Sequence, residues 1–383
     1  MSIYLDYNAS APIDSRVVDK MIDVYKNYIG NADSRTHDYG DNARKIVEKA
    51  RGQVATLLNV NKDEIFFTSG ATESNNIAIQ GLREYAEKTG KKHIITTTIE
   101  HKAVLETMKH LEKDGYCVDY VSPDETGRIS SDKVMSLVKD DTLLVSVMHV
   151  NNETGIIQPV DEIGDALDEK GVLFHVDATQ SCGKLVKELQ NLKYDMLSCS
   201  AHKFQGPQGI GVLVLRKKRY KLPPVKPIMF GGQQEHGISP GTVPVALVVG
   251  MGEAARIALA EHEVNKNKCL RIKQRLIELL EASGLKYQIN GDQNYCVYST
   301  INIAIKGVVS EALMLSSKQY CSISNGSACT SQSYSLSYVL KAMGYSDERV
   351  EDSLRISWGA DTKLKELENG LIKLFNIAKQ IAC

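Results

Sequence analysis

Two ionisable side chains follow apolar, strand-like runs in the middle of the chain. Asp177 ends the run 173–176, and Lys203 follows a second β-like run. An ionised carboxylate at the end of a buried strand needs a cationic partner or hydrogen bonds, and a protonated pyridine nitrogen would be such a partner. A lysine in a confined site has a lowered pKa and can form a Schiff base with a carbonyl group. Taken alone, the two residues fit an ordinary buried salt bridge equally well.

The segment 68–74, Thr-Ser-Gly-Ala-Thr-Glu-Ser, has the composition of an anion-binding turn. It follows an apolar run and precedes a helical pattern, so Gly70 allows a tight turn and the amides of Ala71 and Thr72 can point at a phosphate. No Gly-Lys-Ser/Thr follows, so the segment is not a Walker loop. A plain helix cap is the alternative. An Asp and a Lys at two other strand ends favour the phosphate site, because open α/β sheets bind ligands at their strand carboxyl ends.

Two further side chains suit a site for an amino acid. His101 follows the strand-like run 94–97 and could stack on a pyridine ring and move protons, although a lone histidine can also be structural. Arg355 interrupts the apolar run 353–357. A guanidinium group binds a carboxylate through two parallel hydrogen bonds, and the alternative for Arg355 is a surface or inter-domain salt bridge.

One of the cysteines has an unusual environment. Cys329 lies in the small, polar stretch 324–333, which predicts a mobile, solvent-reachable loop suited to a reactive thiol. Cys117 and Cys199 lie in apolar runs and are predicted to pack in the core, whereas Cys182 is the other thiol expected near Asp177. No Cys-x-x-Cys pair indicates a zinc site or a thioredoxin-like motif, so we expect no metal. The eight cysteines stand at positions 117, 182, 199, 269, 296, 321, 329 and 383.

The elements that position these residues alternate between short apolar runs and amphipathic segments, of which 102–113 is an example. This alternation predicts an α/β fold with a mostly parallel sheet covered by helices. After about residue 250 a long helical pattern, a strand-like run at 297–305 and two more helical stretches predict a second, α+β domain. We therefore predict a large domain over 16–250 and a small domain formed by 1–15 and 251–383, which carries Cys329.

Composition limits the classes of function. The chain has 383 residues and a net charge of −1, from 46 basic and 47 acidic side chains. No basic excess suggests direct nucleic-acid binding. No signal peptide is visible at the N-terminus, and no apolar run is long enough to span a bilayer, so we expect a cytoplasmic protein without a membrane partner.

Several motifs together resemble the NifS/IscS-type cysteine desulfurases, in order and over essentially the whole chain. The opening Tyr-Leu-Asp-Tyr-Asn-Ala-Ser-Ala-Pro at 4–12 is similar to the same family. The combination is highly specific. The remaining motifs are Ser-Gly-Ala-Thr-Glu-Ser-Asn-Asn at 69–76, Asn-Asn-Glu-Thr-Gly at 151–155, Asp-Ala-Thr-Gln at 177–180, Ser-Ala-His-Lys at 200–203 and Gly-Ser-Ala-Cys at 326–329.

The resemblance implies a fold-type I enzyme that depends on pyridoxal 5'-phosphate (PLP) and works as a homodimer. It implies that Lys203 is the Schiff-base lysine, Asp177 the partner of the pyridine nitrogen and His101 the ring-stacking residue. Arg355 would bind the substrate carboxylate, and Cys329 would be the nucleophile, in a loop typical of the family's longer-loop group. The implied cofactor contacts are Asn152 and Gln180 at the ring, Ala71, Thr72, Ser200 and His202 at the phosphate, and Thr242 at the phosphate of the neighbouring subunit.

Two positions depart from the family. Asn-Ala-Asp-Ser stands at 31–34 where Asn-Pro-Ser-Ser is usual, and Ser239 stands where the family usually has Arg. The chain also ends soon after its last helical pattern, whereas general iron–sulfur members often extend into a tail that docks a scaffold protein.

The expected reaction is the conversion of L-cysteine to L-alanine, with sulfur held on Cys329 as a persulfide. An acceptor protein would then take the sulfur for iron–sulfur cluster assembly, tRNA thiolation or DNA phosphorothioation. The alternatives are another PLP reaction on the same fold, such as selenocysteine cleavage or transamination, and a sulfur-relay subunit with little activity. A reactive Cys329 disfavours transamination, which needs no thiol. The presence of Lys203, Asp177 and Cys329 disfavours an inactive relay.

Overall fold

The structure, a computed structural model, describes residues 2–326 and 336–382. Cys329 lies outside these residues. Within them, no helix combines the length and the apolar character needed to cross a membrane. The strands are β1 (Ile3–Tyr4), β2 (Ile65–Thr68), β3 (His93–Thr97), β4 (Cys117–Val121), β5 (Thr142–Met148), β6 (Leu173–Asp177), β7 (Met196–Ser200), β8 (Gly211–Leu215), β9 (Tyr287–Ile289), β10 (Thr300–Ile305), β11 (Cys321–Ser322) and β12 (Ser353–Ser357).

Helices connect most of these strands and cover the large sheet. The predicted helix over 102–113 is confirmed at the same bounds. The helices are α1 (Ser15–Asn27), α2 (Asp38–Leu58), α3 (Ala71–Gln80), α4 (Arg83–Thr89), α5 (Lys102–Lys113), α6 (Ser131–Ser136), α7 (Val160–Lys170), α8 (Val186–Asn191), α9 (Val245–Ala282), α10 (Ser310–Ser317), α11 (Tyr338–Ala342), α12 (Asp347–Glu351) and α13 (Leu364–Ile381).

The large sheet has seven strands in the order β2-β8-β7-β6-β5-β3-β4. Neighbouring strands from β7 to β4 run parallel, and β8 runs antiparallel to both of its neighbours. The carboxyl ends of β2, β3, β5, β6 and β7 therefore meet at one edge. The prediction of a mostly parallel sheet is confirmed.

Burial explains why the inner strands read as continuous apolar runs. Every residue of β5 and β7 is buried, because helices cover both faces of the sheet. The prediction that Cys117 packs in the core is wrong: this thiol is exposed, since β4 is the edge strand of the sheet. Cys199, on the central strand β7, is buried as predicted.

A second core surrounds the smaller sheets. Strands β12, β10 and β9 form an antiparallel sheet, and β1 pairs in parallel with β11. Trp358, Phe375 and Leu5 are among the fully buried side chains here. A bridge between Asp6 and Ser357 brings the N-terminal segment beside β12. Helix α9 runs through residue 250, and the proposed domain boundary at this residue stays a prediction.

Candidate active site

A cavity of about 470 Å³ lies where the carboxyl ends of the large sheet meet the N-terminal segment and β12. It brings together residues that the sequence predicted from six separate stretches of the chain. Thr242 is exposed and is not among the lining residues. Its role at the phosphate of a neighbouring subunit stays a prediction. Predicted residues that line the cavity are Ala71, Thr72, His101, Asn152, Asp177, Gln180, Ser200, His202, Lys203 and Arg355.

Asp177 ends β6 and is 4 % exposed. Its two oxygens accept hydrogen bonds from neutral donors, Asn75 Nδ2 at 2.8 Å and the backbone N–H of Thr179 at 3.0 Å. These two hydrogen bonds orient the carboxylate, and neither of them comes from a positively charged group. Such an acid suits a cationic ligand atom in the cavity.

His175 lies two residues before Asp177, on the same face of β6. Its ring lies between Ser146 Oγ at 2.8 Å and Ser198 Oγ at 3.0 Å, on the neighbouring strands. Burial lowers the pKa of His175 from its usual value. Ser146, His175 and Ser198 therefore form a neutral hydrogen-bonded network across β5, β6 and β7, next to Asp177.

The predicted anion-binding turn joins β2 to α3. The first amides of a helix have no acceptor within that helix, and here they belong to Ala71, Thr72 and Glu73 at the edge of the cavity. A side chain on Gly211 would lie 2.6 Å from the Gly70 Cα atom, so glycine at 211 lets the turn lie close over β8. Ser239 Oγ, where the family usually has Arg, donates to Glu73 Oε1 at 2.8 Å.

Lys203 lies in the short 3-10 turn Ala201–Lys203 that follows β7. Its Nζ donates to the carbonyl oxygens of Asn8 at 2.6 Å and Ala9 at 2.7 Å. These contacts join the N-terminal segment to the end of the large sheet. Burial and the Lys203 cation together lower the pKa of the adjacent His202 to about 4, so the His202 ring is neutral near neutral pH.

Arg355 reaches the cavity from β12 with only 3 % of its side chain exposed. Nη2 donates to Asp6 Oδ1 at 2.5 Å, and Nη1 donates to the carbonyl oxygen of Asn152 at 2.8 Å. Arg355 Nε is buried and has no hydrogen-bond partner among the described residues. The salt bridge of Arg355 is therefore buried and lies within the predicted small domain, unlike the surface or inter-domain salt bridge that the sequence offered as the alternative. The role of Arg355 in binding a substrate carboxylate stays a prediction.

His101 is the N-cap of α5, and its Nδ1 accepts a hydrogen bond from the Ala103 amide at 3.1 Å. This contact makes Nδ1 the acceptor nitrogen, so a neutral ring carries its proton on Nε2. The ring lines the cavity beside Asn152. Its orientation is therefore set by the helix end that it caps.

Glu153 lies between Gly326 and Ser337, which stand on either side of the segment that carries Cys329. Its Oε2 accepts a hydrogen bond from Ser337 Oγ at 2.5 Å. A Cβ atom on Gly326, whose φ is +91°, would lie 2.7 Å from the same oxygen. Burial raises the pKa of Glu153. Gly326 also lines the cavity, three residues before Cys329.

The arrangement fits a pyridine cofactor that carries a phosphate. Such a ligand needs an anion-binding helix end, an acid for the ring nitrogen and an amine for covalent attachment, and one cavity of suitable size offers all three. Two buried atoms at the cavity, Asn152 Oδ1 and Thr179 Oγ1, have no hydrogen-bond partner within the described parts of the chain. Buried polar atoms of this kind are normally paired, so a ligand would supply their partners.

Sequence reasoning missed three contributors. Asn75, which orients Asp177, occurs in a quoted motif but was given no role; its place four residues after Ala71 puts both on one face of α3. Asp6 and Asn8 contact Arg355 and Lys203 from the far end of the chain. The family-like opening at 4–12 was the available signal, but no local pattern indicates which groups those residues contact.

The comparisons with known proteins agree with this architecture. The chain matches the model of the aminotransferase class-V family over residues 3–369, and it belongs to that family. It is 44 % identical over 375 residues to the cysteine desulfurase IscS of Vibrio vulnificus, covering 96 % of this chain and 90 % of the relative.

Solved structures show the same likeness. A NifS-like protein superposes with a TM-score of 0.90 at 36 % identity, covering 99 % of this chain and all of the other. SspA in complex with cysteine superposes with a TM-score of 0.81 at 33 % identity, covering 93 % of this chain and 98 % of the other. The class-V fold, which is a fold-type I PLP architecture, is therefore confirmed.

Proposed function

We propose that this protein is a PLP-dependent cysteine desulfurase that converts L-cysteine to L-alanine and holds the sulfur on Cys329 as a persulfide. The observation that carries the proposal is a single cavity lined by Lys203, Asp177 and Arg355 in a chain of the class-V family. These three groups are an amine, an acid and a carboxylate-binding cation. An enzyme that breaks bonds at the α or β carbon of an amino acid needs all three.

The cofactor would be held by groups that are already oriented. Asp177 would face the pyridine nitrogen, and His101 would stack on the ring. Ala71 and Thr72, with Ser200 and His202, would hold the phosphate. Asn152 and Gln180 would contact the ring, Lys203 would attach the cofactor covalently, and Thr242 would join the phosphate site of a second subunit. When bound, PLP supplies an electron sink that stabilises negative charge at the substrate Cα.

The substrate would be positioned by Arg355 and deprotonated by Lys203. Arg355 would bind the carboxylate of L-cysteine, using Nε and a second guanidinium donor. Lys203 Nζ would remove the Cα proton of the substrate. Both groups line the same cavity.

Cys329 would complete the transfer. Its thiolate would attack the substrate sulfur, so that an S–S bond forms while the bond between Cβ and sulfur breaks. The electron pair of the broken bond would stay on the carbon skeleton, which would take up protons at Cβ and Cα and leave as alanine. Gly326 lines the cavity only three residues earlier, which supports access of Cys329 to the substrate. The persulfide would then pass to an acceptor protein for iron–sulfur cluster assembly, tRNA thiolation or DNA phosphorothioation.

A homodimer would accommodate an otherwise exposed apolar surface. Ile29, Tyr39, Met229 and Phe230 are large apolar side chains with 51–87 % exposure. A hydrogen bond from Gln234 Nε2 to Asp33 Oδ2, at 3.1 Å, joins the segment that carries Met229 and Phe230 to the segment that carries Ile29 and Tyr39. An exposed apolar surface of this kind is typical of a subunit contact.

The test uses purified protein loaded with PLP, L-cysteine and a reductant, with alanine, sulfide and the visible spectrum measured together. Cys329→Ala should keep the yellow colour and lose both products. Cys117→Ala is the matched control, because that thiol is exposed on β4 and does not line the cavity. A Cys329→Ala protein as active as its parent would rule out the proposed nucleophile.

The same experiment separates the alternatives. Transamination would yield no sulfide, and a relay subunit would stay inactive with L-cysteine while still accepting sulfur from another donor. Selenocysteine offered in parallel measures the preference between the two substrates. Light scattering on the same preparation measures the mass, and a monomer would contradict the proposed homodimer.

A further inference from the structure

A second, smaller cavity of about 70 Å³ is lined in part by Lys203. Lys203 lines both cavities, whereas Lys184 lines only the small one, together with Cys269 and Trp358. Lys184 is partly buried, and no carboxylate lies within 4.0 Å of its Nζ among the described residues. An ammonium group that is partly withdrawn from water without an acidic partner is costly, so its position calls for an explanation.

The contact that Lys184 makes is with Gln180, which lines the cofactor cavity. Lys184 Nζ donates to Gln180 Oε1 at 3.3 Å, and Gln180 Nε2 donates to the Asn8 carbonyl oxygen at 2.9 Å. An ammonium group only donates and a carbonyl oxygen only accepts, so both contacts favour the same orientation of the amide. A flipped amide would place its NH₂ group against an ammonium and its oxygen against a carbonyl.

The same carbonyl of Asn8 also accepts from Lys203 Nζ, at 2.6 Å. Lys184, Gln180, Asn8 and Lys203 thus form one hydrogen-bonded chain with an amine at each end. Two ammonium groups in a poorly solvated region repel each other, and removing the proton from either relieves the repulsion.

We infer that Lys184 is a positioning residue for the cofactor site: it holds the Gln180 amide in one orientation and sets a second positive charge at the cavity that Lys203 also lines. The inference rests on the proposed function, because it concerns the amine that would attach PLP. Other charged and titratable groups around Lys184 are Arg355 on β12, Cys269 on α9 and Cys182 before it in the chain. Burial, with the Lys203 cation adding to it, lowers the pKa of Lys184 to about 8.

The test is a pH titration of the visible absorption band of the PLP-loaded protein. Lys184→Met removes the charge and the donor at nearly constant volume, and should raise the titration midpoint by roughly half to one pH unit. Lys184→Arg keeps both and should titrate at or below the parent midpoint. Lys187→Met is the matched control, because Lys187 is an exposed lysine three residues away that pairs with Glu263; its midpoint should not move.

Lys184→Gln separates the two roles, because it keeps a donor but no charge. Its titration midpoint should match that of Lys184→Met. It should also bind PLP more tightly than Lys184→Met in equilibrium dialysis. A parent-like midpoint in Lys184→Met or Lys184→Gln would overturn the inference, as would a raised midpoint in Lys184→Arg. A colourless parent protein would instead overturn the proposed function, so the two failures are distinguishable.

Discussion

The two walls of the cavity hold their charged groups in opposite ways. We call the strand ends with Asp177 and His175 the sheet wall, and the groups around Arg355 and Asp6 the terminal wall. On the sheet wall, Asp177 is held by the neutral donors Asn75 and Thr179. On the terminal wall, Arg355 is held by the carboxylate of Asp6 at 2.5 Å.

This difference indicates different behaviour on binding. Neutral donors orient Asp177 without an ion pair, so the sheet wall is already arranged for the cationic ring nitrogen of the proposed cofactor. The terminal wall already has a carboxylate on its cation. Under the proposed function, a substrate carboxylate would share Arg355 with Asp6 or displace Asp6. Part of the binding free energy would then be used in exchanging one ion pair for another.

The largest expected effect comes from removing the planar donor of the terminal wall. Arg355→Lys keeps the charge but loses the two parallel hydrogen bonds to a carboxylate. We expect kcat/KM for L-cysteine to fall about 10²-fold, equivalent to about 3 kcal/mol. Steady-state kinetics on the PLP-loaded protein measure this, with Arg349→Lys on α12 as the control outside the cavity. An unchanged kcat/KM would remove Arg355 from substrate binding.

A smaller effect is expected from substitution of Asp6, the partner of Arg355, and it should strengthen substrate binding rather than weaken it. Asp6→Asn removes the competing negative charge, so KM for L-cysteine should fall roughly threefold to tenfold, about 1 kcal/mol. The ligand-free protein should lose about 1–2 kcal/mol of unfolding free energy in urea, because Arg355 loses its ionic partner. Asp23→Asn, on the exposed face of α1, is the control. A KM that rises would mean that Asp6 orients Arg355 rather than competing for it.

The smallest effect concerns a neutral histidine near the sheet wall. His149 follows β5, and burial lowers its pKa to about 4. The unfolded chain binds a proton here near pH 6.5 and the folded chain only near pH 4, so stability falls as the pH drops through this window. Urea unfolding measures how much the unfolding free energy falls between pH 7.5 and pH 5.5. This fall should be about 1 kcal/mol smaller in His149→Gln than in the parent.

Comparison between variants isolates the contribution of His149. Burial raises the pKa of Glu100 to about 8, which gives an opposite pH dependence between pH 4.5 and pH 8, but Glu100 is present in every variant. His110→Gln changes an exposed histidine on α5 and should follow the parent. If His149→Gln also follows the parent, the folded protein binds a proton at His149 as readily as the unfolded chain does.

Much of the fold and most of the sheet wall could be predicted from local patterns. Fully buried strands read as apolar runs, and polar residues directly after such runs lie at the carboxyl edge of a parallel sheet. For this reason local patterns predict Ala71, Thr72, Asp177 and Lys203 at this edge. Cys117 shows the limit of the pattern, because an apolar run does not tell an edge strand from an inner one.

The terminal wall depended on the tertiary structure. Asp6 and Arg355 are 349 residues apart, and their salt bridge forms because the N-terminal segment passes beside β12. The chain from Lys184 through Gln180 and Asn8 to Lys203 likewise joins residues with no common local pattern. Sequence by itself determined the residue types and the strand ends that carry them, because those follow from burial periodicity. Only the folded chain decided which charges became partners, because that depends on long-range packing.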